Sequence, residues 1–318
     1  MIEILGVPLD YCGRRHGSRL GPAAVRTAGL KRELEELGLA VVDSGDRPIE
    51  PETTDFGGIR AFEPAYSCYL DLKGCLDRTF EAGRVPIVIG GDHSIAFGSV
   101  SAAMDRHGDT LAVLWLDAHA DLNTPATSPS GNLHGMPLAA LMEFPADLDG
   151  RTREQWQRLR RLRTGPPLAP EKMAWIGLRD LDEGERRHIR QLRGCFPATM
   201  HEIDRFGVVE VMRRFDRWLR ASGATRLWVS FDVDALDPIW APGTGTAVRG
   251  GLTYREMHLI FELLWELISC PDCPYKLAGM DLVEVNPLED SENLTARLAV
   301  KWVLSMFGKT ILGNGVRI

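Results

Sequence analysis

Short aliphatic and β-branched runs recur along the chain, at Ile2 to Val7, Val85 to Ile89, Leu111 to Leu116, Met173 to Gly177, Leu227 to Phe231 and Met280 to Val285. Between them, stretches such as Gly29 to Leu39, Tyr66 to Ala82 and Tyr254 to Leu267 place apolar residues at helical spacing. This βαβ rhythm predicts an α/β fold, a three-layer αβα arrangement in which helices cover both faces of a central parallel sheet. Gly and Pro are spread rather than pooled, with the densest loops at Ser44 to Pro64, Asn123 to Gly135, Thr164 to Glu171 and Pro238 to Gly251. No stretch reads as an interdomain linker and no internal repeat is visible, so one domain over residues 1–318 is expected.

Composition narrows the class. The 318 residues suffice for one large core, and 44% hydrophobic with 25% charged content is the globular norm. No run approaches the roughly 18 to 20 apolar residues of a membrane span, so no membrane partner is expected. Met1-Ile2-Glu3 carries an acid where a secretory signal carries Lys or Arg, and six cysteines are too sparse for a disulfide framework. The expected location is cytoplasmic. A net charge of −7 argues against nucleic acid or anionic lipid as partners. Six arginines between Arg151 and Arg163 run against that trend and read as a solvated helix face. Cys270-Pro271-Asp272-Cys273 has the spacing of half a zinc site or a redox pair, but no second pair accompanies it; it reads as a Pro-stiffened turn. Cys68 and Cys75 read as core residues of a helix.

In an open parallel sheet, ligands sit outside the C-terminal ends of the strands, so the chemistry should follow the apolar runs. Behind Val85 to Ile89 comes Gly90-Gly91-Asp92-His93-Ser94, where two glycines allow a tight turn that presents His93. Behind Leu111 to Leu116 comes Asp117-Ala118-His119-Ala120-Asp121, and in extended chain a period of two throws Asp117, His119 and Asp121 onto one side. Behind Leu227 to Phe231 comes Asp232-Val233-Asp234. Four Asp and two His thus reach one rim. A lone Asp-x-Asp is ordinarily a turn or helix cap. Together these groups need a counter-charge, because adjacent carboxylates raise one another's pKa. Four negative charges balance two divalent ions, and an oxygen-rich set with two imidazoles suits Mn²⁺ first, with Co²⁺, Fe²⁺, Ni²⁺ and Zn²⁺ as competitors.

These residues resemble the ureohydrolases, the family of arginase and agmatinase, whose signatures GGDHS, DAHxD and SFDVDxLDP are matched here by Gly90 to Ser94, Asp117 to Asp121 and Ser230 to Pro238. The likeness runs from Gly6 almost to the C-terminus, through Gly21-Pro22 and Gly250 to Glu256. It implies an arginase-like fold with a binuclear manganese site, His93, Asp117, Asp121 and Asp232 lying on one metal or bridging, and His119 and Asp234 completing the second. The loop Asn123 to Pro137 is similar to that of arginase rather than agmatinase. It implies that Asn123 and Ser130 hold a substrate α-carboxylate, Asp182 the α-amino group, that His134 shuttles a proton, and that Thr246 and Glu284 face the guanidinium. Family members commonly form trimers or hexamers, so a homo-oligomer is expected. Gly13-Arg14-Arg15-His16-Gly17-Ser18 departs from the family by adding His16 near the expected mouth. The segments Thr53 to Pro64 and Asp147 to Pro170 are longer than the family minimum.

The implied reaction is hydrolysis of L-arginine to L-ornithine and urea. A guanidinium, with a pKa of roughly 12.5 to 13.8, stays charged and its carbon is a poor electrophile. It calls for a metal-activated hydroxide, here hydrogen-bonded to Asp121, and for a carboxylate such as Glu284 that aims the planar cation. His134 suits the proton shuttle because the unperturbed pKa of an imidazole lies in the working range. The alternatives are another guanidino substrate, such as agmatine or guanidinobutyrate, and a non-catalytic member that keeps the fold.

Overall fold

The computed structural model describes residues 1–52 and 58–312. Eight strands, β1 (Ile2–Val7), β2 (Val41–Asp46), β3 (Val85–Gly90), β4 (Leu111–Leu116), β5 (Met173–Leu178), β6 (Phe196–Thr199), β7 (Arg226–Asp232) and β8 (Lys276–Val283), form one sheet. Its order is β2-β1-β3-β8-β7-β4-β5-β6, and every neighbouring pair is parallel. The three-layer α/β expectation is met.

Why the inner strands read as unbroken apolar runs is visible in the packing. On β4, Ala112, Leu114 and Leu116 enter the core on one side of the sheet, while Leu111, Val113 and Trp115 enter the core on the other. A strand covered on both faces cannot alternate with polar residues. The same logic explains the two strands missing from the sequence expectation, β2 and β6. Both are sheet edges; Val41–Asp46 is half-buried and rich in Asp, Ser and Gly, and Phe196–Thr199 is only four residues long and contains Pro197. Edge strands carry such residues because they must not recruit another chain.

Helix boundaries follow local signals. The expected Gly29 to Leu39 helix is Leu30–Glu36, opened by Gly29 at φ 90°. Tyr66 to Ala82 begins earlier, as Phe62–Glu81, and Tyr254 to Leu267 extends to Ser269 behind a Thr253/Glu256 capping box. Of the Thr53 to Pro64 segment, residues 53–57 lie outside the described residues. Within Asp147 to Pro170 lies the helix Gly150–Arg160, which buries Gln155, Trp156 and Leu159. The arginines expected to be merely solvated are in part engaged. Arg158 grips Glu63 with two hydrogen bonds of 2.7 and 2.9 Å and lies 4.3 Å over the Tyr66 ring, and Arg160 and Arg163 share Glu143. This basic segment docks onto its own protein.

The chain's two ends are also clamped together. Glu33 of helix Leu30–Glu36 accepts from Lys301 Nζ at 2.8 Å and Lys309 Nζ at 2.9 Å. Lys301 first, then Lys309, holds the Glu33 carboxyl down at about 2. Its folded value lies below its unfolded one, so the clamp stabilises above the ordinary carboxylate range and fades as pH falls toward 2. With both lysines partly exposed, Glu33→Gln should cost about 1 kcal/mol at pH 7 and clearly less near pH 2.5. Denaturant unfolding at the two pH values measures this, and an equal loss at both would refute an electrostatic clamp.

Candidate metal centre

The C-terminal ends of β3, β4 and β7 converge on one crevice. After β3, Gly91 runs directly beneath the backbone of the β1 loop: a Cβ there would lie 1.8 Å from the Leu9 carbonyl oxygen. The glycine pair therefore serves close approach, with Gly91 N bonding Val7 O at 2.8 Å and Asp92 N bonding Leu9 O at 2.7 Å. Neither glycine takes a positive φ, so the tight-turn reason expected from sequence is replaced by a steric one.

Extended-strand geometry does not present the DAHxD segment either. β4 stops at Leu116; the Asp117 carboxylate takes the His119 amide at 2.6 Å, curling the chain, and Asp121 sits at φ 50°. Likewise Asp232 caps a short 3-10 turn by accepting from Asp234 N at 2.8 Å. Side-chain to backbone bonds of this kind are what Asp supplies best. The acids and imidazoles still meet. His93 Nδ1 lies 3.1 Å from Asp117 Oδ2, 3.1 Å from Asp121 Oδ2 and 3.2 Å from Asp232 Oδ2. His119 Nδ1 lies 3.2 Å from Asp117 Oδ1 and 3.1 Å from Asp234 Oδ2. Two groups result, His93/Asp117/Asp232 and Asp117/His119/Asp234, with Asp117 common to both.

A second layer that the sequence reading missed fixes His93. Trp115 stacks on its ring at 4.1 Å and donates Nε1–H to Asp117 Oδ2 at 2.9 Å. On the ring's other edge, Ser230 gives its hydroxyl proton to the fully buried Asp281, so its oxygen is left to accept from His93 Nε2 at 2.8 Å. That bond turns the Nδ1 lone pair toward the carboxylates. Asp281 is itself held by Trp228 Nε1 at 3.0 Å and Ser99 Oγ at 2.8 Å. The available signal was period two: Ser230 and Asp232 share a face of β7, and Trp115 stands two residues before Asp117.

Electrostatically, the cluster is frustrated without a cation. Burial, then Asp234 and Asp117, pushes Asp232 well above the carboxylate range; burial, then Asp117, lifts Asp121 to about 6 and also raises Asp234. Burial works against the Asp117 charge too, yet hydrogen bonds from His119 and His93 hold it below its ordinary value. Both imidazoles, although buried, are driven well upward by those carboxylates. His93 Nδ1 and Asp121 Oδ2 are buried and make no hydrogen bond. Orphaned ligand atoms facing one another inside a ring of acids fit divalent cations.

Glu284 is buried and adopts φ 63°, ending β8 two residues before the sequence run does. Its Oε1 accepts from His93 N at 2.9 Å and meets His134 Nδ1 at 2.9 Å, a pairing the sequence did not reveal. Although burial disfavours its charge, His134 is raised by Glu284. A cavity of about 120 Å³ over the centre is lined by His134, Asn123, Ser130, Asp182 and Thr246. Thr246 donates to Asp234 Oδ2 at 2.8 Å. Asn123 Nδ2 donates to Asp182 Oδ2 at 2.6 Å, while Asp182 caps the helix Glu183–Gln191 through Glu185 N at 2.9 Å. Ser130 is exposed on the rim and accepts from Asn132 N at 3.2 Å. Glu185, also missed, lines the cavity, with burial, then Asp121 and Asp182, raising it to about 8; its signal was the Asp-x-x-Glu capping pattern. A second chamber of about 220 Å³ adjoins through His119 and Thr246 and is lined by Arg14 and Arg15 but not by His16, whose ring lies 3.5 Å from Asp10. Arg179 ties these loops together, donating to the carbonyls of Gly177, Asp234, Ala235, Leu236 and Val248.

The family profile described as Arginase family matches residues 1–308. An arginase of Staphylococcus aureus (strain COL) is 42% identical over 316 residues, 98% of each chain. The solved arginase of Bacillus caldovelox superposes with a TM-score of 0.87 at 39% identity, covering 98% of this chain and 99% of that one. A hypothetical agmatinase from Burkholderia thailandensis is more distant, with a TM-score of 0.70 at 25% identity over 96% of this chain and 84% of that one.

Proposed function

The chain belongs to the arginase family, hydrolases that act on the guanidino C–N bond, and from that premise we propose how its own residues turn arginine and water into ornithine and urea. His93, Asp117, Asp121, Asp232, His119 and Asp234 would hold two divalent cations, Mn²⁺ first, between them. The observation that carries this reading is His93 Nδ1, buried without a hydrogen bond and 3.1 to 3.2 Å from three carboxylate oxygens. When bound, such ions supply Lewis acidity that lowers the pKa of water toward roughly 7.

The side chains do the rest. Asp121, whose buried Oδ2 has no hydrogen-bond partner, takes a hydrogen bond from the attacking water and orients it. Glu284 receives guanidinium N–H groups and aims the planar cation at the centre. Because the Thr246 proton is spent on Asp234, its oxygen can only accept, which suits a cation that only donates. Asn123 and Ser130 take the α-carboxylate and Asp182 the α-amino group; the Asn123–Asp182 bond keeps these two groups at the cavity wall. His134, anchored by Glu284, carries the proton for the leaving amine. His134→Asn should lower kcat by about 10²-fold with metal content intact, and unchanged turnover would remove it from the reaction.

We further propose that the chain works as a single domain in the cytoplasm, a reading supported by its six free cysteines. Exposed Ile239, Trp240 and Leu288 support a homo-oligomer, for which the family resemblance implies a trimer or hexamer. Among the described residues no helix is long and apolar enough to cross a membrane. The deciding assay is urea release by Mn²⁺-loaded protein from L-arginine and from agmatine, beside an EDTA-stripped control. Metal-dependent urea from arginine alone is expected; urea from agmatine alone would sink the assignment of Asn123, Ser130 and Asp182 to the amino-acid tail.

A further inference from the structure

The thiols of this chain fall into two chemical sets. Cys12, Cys68 and Cys75 are buried, and burial pushes Cys12 and Cys68 far up, which leaves them inert. Cys195 is half-buried and also raised by burial. Cys270 and Cys273 differ. They sit partly exposed in the turn between helix Tyr254–Ser269 and β8, closed by Cys273 N donating to Cys270 O at 3.2 Å. This is the Pro-stiffened turn expected from sequence, and it sets the two cysteines at the two ends of one hydrogen-bonded turn. Each thiol acts on the other, so that Cys270 is held below its ordinary value while Cys273 is raised. Arg220 Nη2 stands 3.9 Å from Cys273 Sγ, a cation beside the second sulfur.

We propose that Cys270 and Cys273 form a redox-active dithiol, with Cys270 as the attacking and Cys273 as the resolving thiol in exchange with small disulfides. The Cys270 thiolate attacks one sulfur of a disulfide RSSR, breaking its S–S bond and expelling RS⁻ to leave a mixed disulfide. Cys273, deprotonated to solvent beside Arg220, then attacks the Cys270 sulfur and expels the second RS⁻. The protein loses two electrons and two protons overall, and RSSR becomes two RSH. The turn lies at the N-terminal end of β8, opposite the metal centre, so catalysis should continue in both redox states.

Oxidised glutathione is the probe. The full Mn²⁺-loaded chain is incubated with it, quenched with an alkylating agent, unfolded, labelled with a second agent and mapped by peptide mass. The expected result is joint loss of alkylation at Cys270 and Cys273, by two hydrogens, while Cys12, Cys68 and Cys75 stay reduced. Cys273→Ser should stop at glutathione on Cys270, and Cys270→Ser should slow modification of Cys273 at least tenfold, both variants keeping wild-type urea release as proof of folding. Cys270 and Cys273 remaining alkylated, or Cys195 reacting first, would overturn the proposal. So would a glutathione adduct on Cys270 that persists in the wild-type chain.

Discussion

Glu284→Gln is expected to lower kcat/KM for arginine by roughly 10³-fold while metal content and fold persist. Three facts set that size. The carboxylate is buried, where a charge-assisted hydrogen bond is worth more than in water. Its Oε1 already receives the His93 amide and His134 Nδ1, each at 2.9 Å, so the glutamine must keep its oxygen there and turn an N–H₂ toward the substrate. A guanidinium facing donors instead of an acceptor is repelled. His134 also loses the anion that raises it and should titrate at lower pH. Steady-state kinetics with metal analysis decides: activity within tenfold of wild type would show that another group orients the substrate.

The second large effect concerns Asp117, the carboxylate common to both ligand groups. Asp117→Asn replaces one oxygen by a nitrogen that cannot bind a cation, so whichever way the amide turns, one group loses a ligand. Its Oδ1 takes the His119 amide at 2.6 Å and its Oδ2 takes Trp115 Nε1 at 2.9 Å, and both partners are donors. The amide N–H₂ must clash with one of them. We expect Mn²⁺ stoichiometry below two per chain and kcat lower by roughly 10³-fold. Metal counting after gel filtration, paired with urea release, measures both. Two tightly held ions in the variant would mean that Asp117 is not the shared ligand.

Much of this centre was legible because its residues follow buried strands, and buried strands announce themselves as apolar runs. His93, Asp117 and Asp232 could be placed at one rim before any coordinate was known. What sequence could not supply was the local curl. The period-two argument for Asp117, His119 and Asp121 assumed extended chain, but an aspartate at a strand end competes for its own following amides and bends it. Glu284 and His134 are 150 residues apart, so only the tertiary fold brings them within 2.9 Å. Asp281 was hidden for a different reason: inside an apolar run it looked like one more strand residue, and its partners Ser99, Trp228 and Ser230 come from two other elements. The edges β2 and β6 were hidden by the polar, Gly- and Pro-bearing composition that edges require.

The strand order has one more consequence, for the chain as it is made. β8 is the last strand in sequence, yet it lies between β3 and β7 and, among the described residues, is the one strand that joins the half-sheets β2-β1-β3 and β7-β4-β5-β6. His93 belongs to the first half; Asp117, His119, Asp121, Asp232 and Asp234 belong to the second. Without residues 276–283 the two half-sheets share no strand, and His93 stands behind one of them while its carboxylate partners stand behind the other. The sheet that carries the centre is thus closed by the last of its strands to be synthesised.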